Sequence, residues 1–177
     1  EEDIIGCIDV INKEIYINQS LDPIVNNKME GRYYFTLSHE IGHLKLHKYL
    51  VEDGLITSTG KSNSLFCRTS ENKDPIEKQA DYFASCLLMP RKKIWQTLGD
   101  NYGEIKKLDV INLIAEVNAD SNKKREVERQ QWWKRCFCNY KISANDILEW
   151  WANSLAKNFR VSPVAMVIRL KEIGFIE

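Results

Sequence analysis

All three histidines of this 177-residue chain fall between positions 39 and 47, inside the stretch FTLSHEIGHLKLH (35–47). The segment from about Arg32 to Val51 has a helical pattern, with Phe35, Leu37, Ile41, Leu44 and Leu46 spread through it and Gly54 following as a stop. An α-helix turns once per 3.6 residues, so the His39-Glu40-x-x-His43 spacing puts two imidazoles one turn apart on one face. Both can aim a ring nitrogen at a single point about 2.0–2.1 Å away, the distance a zinc ion requires. Glu40 points to the side of that pair. It is badly placed as a ligand but can reach a water bound to the metal, so it is the candidate general base. The ordinary alternative is a pair of helix histidines with no common task. The gathering of every histidine into one helix weighs against it.

A zinc site needs a further protein ligand. His47 lies four residues past His43, but on a straight helix positions 39 and 47 are about 12 Å apart at about 1.5 Å per residue. LKLH contains no Gly that would turn the chain, so His47 is expected in the cleft or core, as a neighbour of the ligands or a substrate contact. The second clear helix, Pro75 to Met89, supplies a better candidate. Asp74 suits its N-cap, Pro75 its first position, and Pro90 forbids continuation. Ala80, Ala84, Leu87 and Leu88 make an apolar stripe with Phe83 beside it, and Glu77 continues the stripe. A carboxylate facing a core is costly unless paired or bound to a metal. Asp81, one turn on, can accept a hydrogen bond from the outer N–H of a ligating histidine. The competing reading makes Asp74-Pro-Ile-Glu77 a capping box; beside the histidine pair, the ligand reading of Glu77 is favoured.

The rest of the chain bounds the class. Its length suits one globular domain with a small appendage, and zero formal net charge gives no global argument for nucleic acid. No apolar run approaches the roughly 20 residues of a membrane span, and EEDIIGCIDV lacks a basic leader region. Five cysteines (Cys7, Cys67, Cys86, Cys136, Cys138), odd in number and without a C-x-x-C pair, fit free thiols in a reducing cytoplasm. Residues 4–18 read as a β-hairpin around Asn12-Lys13. Residues 20–31 read as a loop, and 57–73 as a long polar loop with a short strand near Ser64–Cys67. Further on come an amphipathic piece near Lys92–Leu98, a helix near Ile105–Val117, and the charged NADSNKKREVERQQ. The aromatic and basic WWKRCFCNYK follows, then two helices, about Ala144–Asn158 and Pro163–Ile173, joined by FRVS.

Three stretches, RYYFTLSHEIGHLKLH, IEKQADYFASCLLMP and SLAKNFRVSPVAMVIRLKEIGFI, resemble in order and spacing the ImmA/IrrE-type zinc metallopeptidases, over roughly residues 5–98 and 144–177. The resemblance implies a gluzincin-like site. His39, His43 and Glu77 would hold one Zn2+ per chain, Glu40 would be the catalytic base, and Asp81 would be a carboxylate behind a ligand. It also implies a cytoplasmic protease whose protein substrate is a helix-turn-helix transcriptional repressor of mobile-element or stress-response genes. The chain departs from the family pattern by the 45 residues Gly99–Ser143, which separate the LLMP helix from the tail. The expected fold is α+β and mostly helical. A zincin-like metallopeptidase core with a small N-terminal β-sheet would span 1–98, a helical, charged insertion 99–143, and a helix-turn-helix-like helical pair packed on the core 144–177.

The expected chemistry is hydrolysis of a peptide bond, with His47, Tyr33 and Tyr34 as candidate second donors to the oxyanion and the hairpin offering an edge strand to an extended substrate. A reading from another class is a DNA- or protein-binding regulatory module with a proteolytically silent zinc site. In it, Arg160 and Arg169 of the tail would touch phosphates, and Lys123-Lys124-Arg125 with Trp132-Trp133-Lys134-Arg135 of the insertion would contact nucleic acid or a protein partner.

Overall fold

A computed structural model of the chain describes residues 5–10, 12–53, 64–67, 75–103, 107–131 and 141–177. They divide into two compact units, residues 1–90 and 91–177. Taken together they are mostly helical with one small sheet, an α+β arrangement. The expected N-cap Asp74, most of the polar loop, and the stretch 132–140 with its tryptophans and paired cysteines lie outside the described residues.

In the first unit, strands β1 (Gly6–Asp9) and β2 (Glu14–Ile17) form the expected antiparallel hairpin. Asp9 closes the turn by accepting from the backbone and side-chain amides of Asn12, at 2.9 and 3.0 Å, while Lys13 takes a left-handed φ of 58°. Strand β3 (Ser64–Cys67) pairs antiparallel with the other side of β1, giving the order β2-β1-β3. Gly6, Ile8 and Val10 alternate toward the covered face of the sheet, as a period of two demands.

Helices α1 (Glu30–Leu46) and α3 (Pro75–Leu88) make the most extensive contact between elements of this unit, and α1 also lies against β1 and β2. A short helix, α2 (Lys48–Glu52), follows α1. The expected single helix to Val51 is thus broken at His47, which has φ −118° and ψ 0° yet still donates its backbone N–H to His43 at 2.9 Å. The buried face of α1 is largely polar. Thr36, Ser38, His39, Glu40, Gly42 and His43 are buried, whereas Phe35, Leu37, Ile41 and Leu44 are half-buried and Leu46 is exposed. On α3 the buried positions are Ala80, Ala84 and Ser85, and Leu87, expected in the stripe, is exposed. The two helices approach closely at small residues. A Cβ on Gly42 would stand 3.2 Å from the Cα of Ala80 and 3.3 Å from its carbonyl oxygen.

The second unit holds α4 (Arg91–Tyr102), α5 (Val110–Ala119), α6 (Ser121–Gln130), α7 (Ala144–Asn158) and α8 (Pro163–Glu172). The polar segment NADSNKKREVERQQ yields a helix because Asp120 caps it, accepting from the amides of Asn122 and Lys123, and because Val127 reaches the core. Helix α5 starts at Val110, later than Ile105, with Asp109 as its cap. Just before it, Leu108 bridges to Ile176 in parallel. Ser143 and Asp146 form a capping box on α7, and Ser162 with Pro163 opens α8. Leu155, Met166, Leu170 and Phe175 are fully buried, and Trp151 stacks on Phe175 at 5.8 Å between ring centroids. Arg169 does not face a phosphate: it is buried, with its guanidinium 3.0 Å from Glu172.

Candidate metal centre

Helix α1 sets His39 and His43 on its buried side, one turn apart, with their Nε2 atoms 2.9 Å from each other. Where α3 crosses α1, Glu77 places Oε2 3.2 Å from His39 Nε2 and Oε1 3.3 Å from His43 Nε2. Despite that proximity Glu77 Oε2 has no well-directed hydrogen bond. The competing use of Glu77, in a cap with Asp74, lies outside the described residues.

Each imidazole is held from behind. Asp81 Oδ1 lies 2.9 Å from His39 Nδ1. A carboxylate can only accept, so His39 donates from Nδ1 and, when neutral, has a bare Nε2. His43 Nδ1 meets His47 Nδ1 at 3.0 Å, and His47 Nε2 meets Gln79 Oε1 at 2.9 Å. Both nitrogens of the buried His47 are therefore engaged, which leaves it no donor for a substrate or an oxyanion. His47 stands behind His43, outside the cluster of converging donor atoms.

Glu40 is fully buried, and neither of its oxygens has a hydrogen-bond partner. Burial pushes its carboxyl up to about 8, with His39 opposing and Glu77 adding to the rise. It lies against β1, where a Cβ on Gly6 would come 2.6 Å from Glu40 Oε1 and 2.6 Å from Thr36 Cγ2. Burial also works against the Glu77 carboxylate, but the His39 and His43 imidazoles beside it hold it down to about 2. Burial pulls the His43 imidazole below its ordinary value, which favours the neutral ring that a metal needs.

An ionised carboxylate and two inward-facing imidazole nitrogens thus converge, with an unpaired carboxyl beside them. Donors about 2.0–2.1 Å from one tetrahedral centre stand about 3.3–3.4 Å apart, and the observed separations of 2.9, 3.2 and 3.3 Å are close to that. Among the described residues, His39, His43 and Glu77 are the group able to hold a metal ion. The fold and the site define a mostly helical protein with a two-histidine, one-carboxylate candidate metal centre.

The family model of the IrrE N-terminal-like domain, a peptidase family designated M78, matches residues 8–116, and the chain belongs to that family. The family is of the metallopeptidase type. The match passes beyond Leu98 to Glu116 and so enters the segment expected to be family-atypical. No curated protein and no solved structure shows a match.

Gln79, Gly6 and Gly42 were not singled out by the sequence. Gln79 stands two residues from both Glu77 and Asp81, but only the crossing of α3 over α1 brings it to His47. The glycines act by lacking a side chain, and a sequence gives no sign of what a Cβ would meet.

Proposed function

We propose that this chain is a zinc-dependent endopeptidase of the cytoplasm, zincin-like in its first unit, that cleaves a peptide bond in a particular protein, a helix-turn-helix transcriptional repressor. The observation that carries the reading is the fully buried Glu40 carboxyl, unpaired on both oxygens, beside three converging donor groups. A structural carboxylate in such a place would be paired; a general base must keep its acceptor open for the proton of water.

In this reading His39, His43 and Glu77 hold the ion, and Asp81 and His47 orient the two rings. Zinc bound there supplies a Lewis acid that polarises the scissile carbonyl and makes water a better nucleophile near neutral pH. Glu40 takes the proton from the attacking water as its oxygen joins the carbonyl carbon. It then delivers that proton to the leaving amine as the C–N bond breaks. Its high intrinsic pKa suits both halves of that transfer, and a neighbouring cation favours its ionised form. With His47 engaged, Tyr33 and Tyr34 are the remaining candidate oxyanion donors. Strand β2 is an edge of the described sheet and borders a cleft of about 660 Å³ lined by Ile15, Ile17, Tyr33, Tyr34 and Leu37, which suits an extended peptide added to that edge.

The reading is tested by elemental analysis of protein purified without added metal, followed by mapping of new protein N-termini after incubation with helix-turn-helix repressors. Near one zinc per wild-type chain, little in Glu77→Ala, and new termini with wild type but not with zinc-loaded Glu40→Gln are expected. Metal-free wild type that takes up no offered zinc would sink the reading. So would cleavage by Glu40→Gln at the wild-type rate.

A further inference from the structure

The two imidazoles that face Glu77 are held from behind by different chemistry. His39 is met directly by Asp81, whose carboxylate can only accept. His43 is met by a second imidazole, His47, and that in turn by the side-chain amide of Gln79. A neutral imidazole has one N–H and one bare nitrogen, so in such a chain the direction of each hydrogen bond fixes the next.

The chain can be followed from its outer end. Gln79 presents Oε1 to His47 Nε2 at 2.9 Å, and a carbonyl oxygen only accepts, so His47 carries its hydrogen on Nε2. His47 Nδ1 is then bare. The hydrogen in the 3.0 Å contact between the rings therefore belongs to His43 Nδ1. With a cation bound, His43 Nε2 is left bare on the side where His39 Nε2 and Glu77 converge; without one, the 2.9 Å contact between the two Nε2 atoms needs a hydrogen on one of them, so this order is that of the metal-loaded site. Turning the amide over reverses every bond. Its NH2 would donate to His47 Nε2, His47 Nδ1 would donate to His43 Nδ1, and the hydrogen of His43 would stand on Nε2, where a ligand must offer its lone pair.

We propose that Gln79 is a positioning residue of the metal centre, its carbonyl acting through His47 to hold His43 in the tautomer that binds a cation. The proposal rests on the reading of His39, His43 and Glu77 as that centre. The two sides of the site differ in a way that has a consequence. Asp81 cannot reverse, whereas an amide has both a donor and an acceptor and Gln79 is exposed at the surface of α3. The ligand at position 43 is therefore the one whose readiness is set from outside the site, two hydrogen bonds away, by a group that solvent or a bound partner can reach.

The experiment uses the full chain and two readouts. Zinc affinity is measured by competition with a chromophoric chelator, and long-range 1H–15N correlation locates the imidazole hydrogens in metal-free and zinc-loaded protein. Gln79→Glu keeps only acceptors, Gln79→Met removes the amide at equal length, and Gln79→Lys keeps only donors. Wild type and Gln79→Glu are expected to bind zinc well and, when zinc-loaded, to carry the His47 hydrogen on Nε2. Gln79→Met should bind about tenfold or more weakly with mixed His47 tautomers and an unchanged melting temperature of the metal-free protein. Gln79→Lys should move the His47 hydrogen to Nδ1. The proposal is overturned if His47 of the zinc-loaded wild type carries its hydrogen on Nδ1. It also fails if Gln79→Met binds zinc within twofold of wild type. Absence of zinc binding by wild type would defeat the metal-centre reading, and with it the proposal that rests on it.

Discussion

At the scale of single residues, Glu40 is the group whose environment fits its folding role least. A carboxyl with no partner on either oxygen and no exposure destabilises the folded chain once it ionises. The sign follows from linkage. Its folded pKa is pushed up from 4.5 to about 8 by burial, so between those values the folded state holds a proton that the unfolded state has lost. Stability of the metal-free protein must fall as pH rises through that window, by an amount on the order of 3–5 kcal/mol for this group alone. Glu40→Gln removes the effect. Metal-free Glu40→Gln is expected to melt near wild type at pH 4.5 and well above it at pH 8.5, and thermal unfolding at the two pH values checks this. An equal difference at both pH values would mean that the carboxyl is not held protonated. Gly6 serves the same group. Gly6→Ala would bring a Cβ to 2.6 Å from Glu40 Oε1 and from Thr36 Cγ2. On the proposed reading, in which Glu40 is the base and not a ligand, proteolysis is expected to fall at least tenfold while zinc stays bound. Paired rate and metal-content measurements test it.

At the scale of elements, the site is a product of one helix crossing. Two donors come from α1 and the third from α3, so their separation is the distance between the helices, set by Gly42 on Ala80. Gly42→Val crowds a point where two of the three nearest opposing atoms are Ala80 backbone, which cannot turn aside, and the third is Cδ1 of Phe83. A loss of about 1–3 kcal/mol, typical of overpacking, is expected, with zinc affinity falling because Glu77 retreats from both rings. Urea unfolding and chelator competition measure the two effects. Retained affinity with lost stability would show that the third ligand is not positioned by this crossing. This dependence on crossing also decides how much could be read beforehand. The histidine spacing and the Pro75-to-Pro90 bounds are local, so the ligand candidates and α3 were legible. The buried face of α1 was not, because hydrophobic periodicity marks Phe35, Leu37 and Ile41 while the covered side carries Thr36, His39, Glu40 and His43. A helix that buries functional groups presents the wrong signal to any rule based on apolar burial. Helix α6 was expected only as part of a helical, charged insertion and without bounds, because its one buried side chain is Val127 and its start depends on the Asp120 cap rather than on a stripe.

At the scale of the whole molecule, all three converging donors lie in the first unit, while the second is held by an apolar core around Leu155, Met166 and Phe175. In the first unit α1 buries mostly polar groups, and the buried apolar side chains among the described residues are Ile8, Val10, Leu21, Ala80, Ala84 and Met89. No helix among the described residues is long and apolar enough to cross a membrane. A cation bound to the folded state alone stabilises it by mass action, about 2.7 kcal/mol when free ion is a hundredfold above its Kd. That stabilisation reaches only what unfolds together with the site. Amide hydrogen exchange with zinc at that excess, and again after chelation, is therefore expected to show about a hundredfold loss of protection in α1 and α3. Helices α7 and α8 should exchange at unchanged rates, because their protection comes from a core that contains none of the three donors. Equal loss in both pairs of helices would mean that the two units open as a single cooperative body, and the metal would then be a stabiliser of the entire chain.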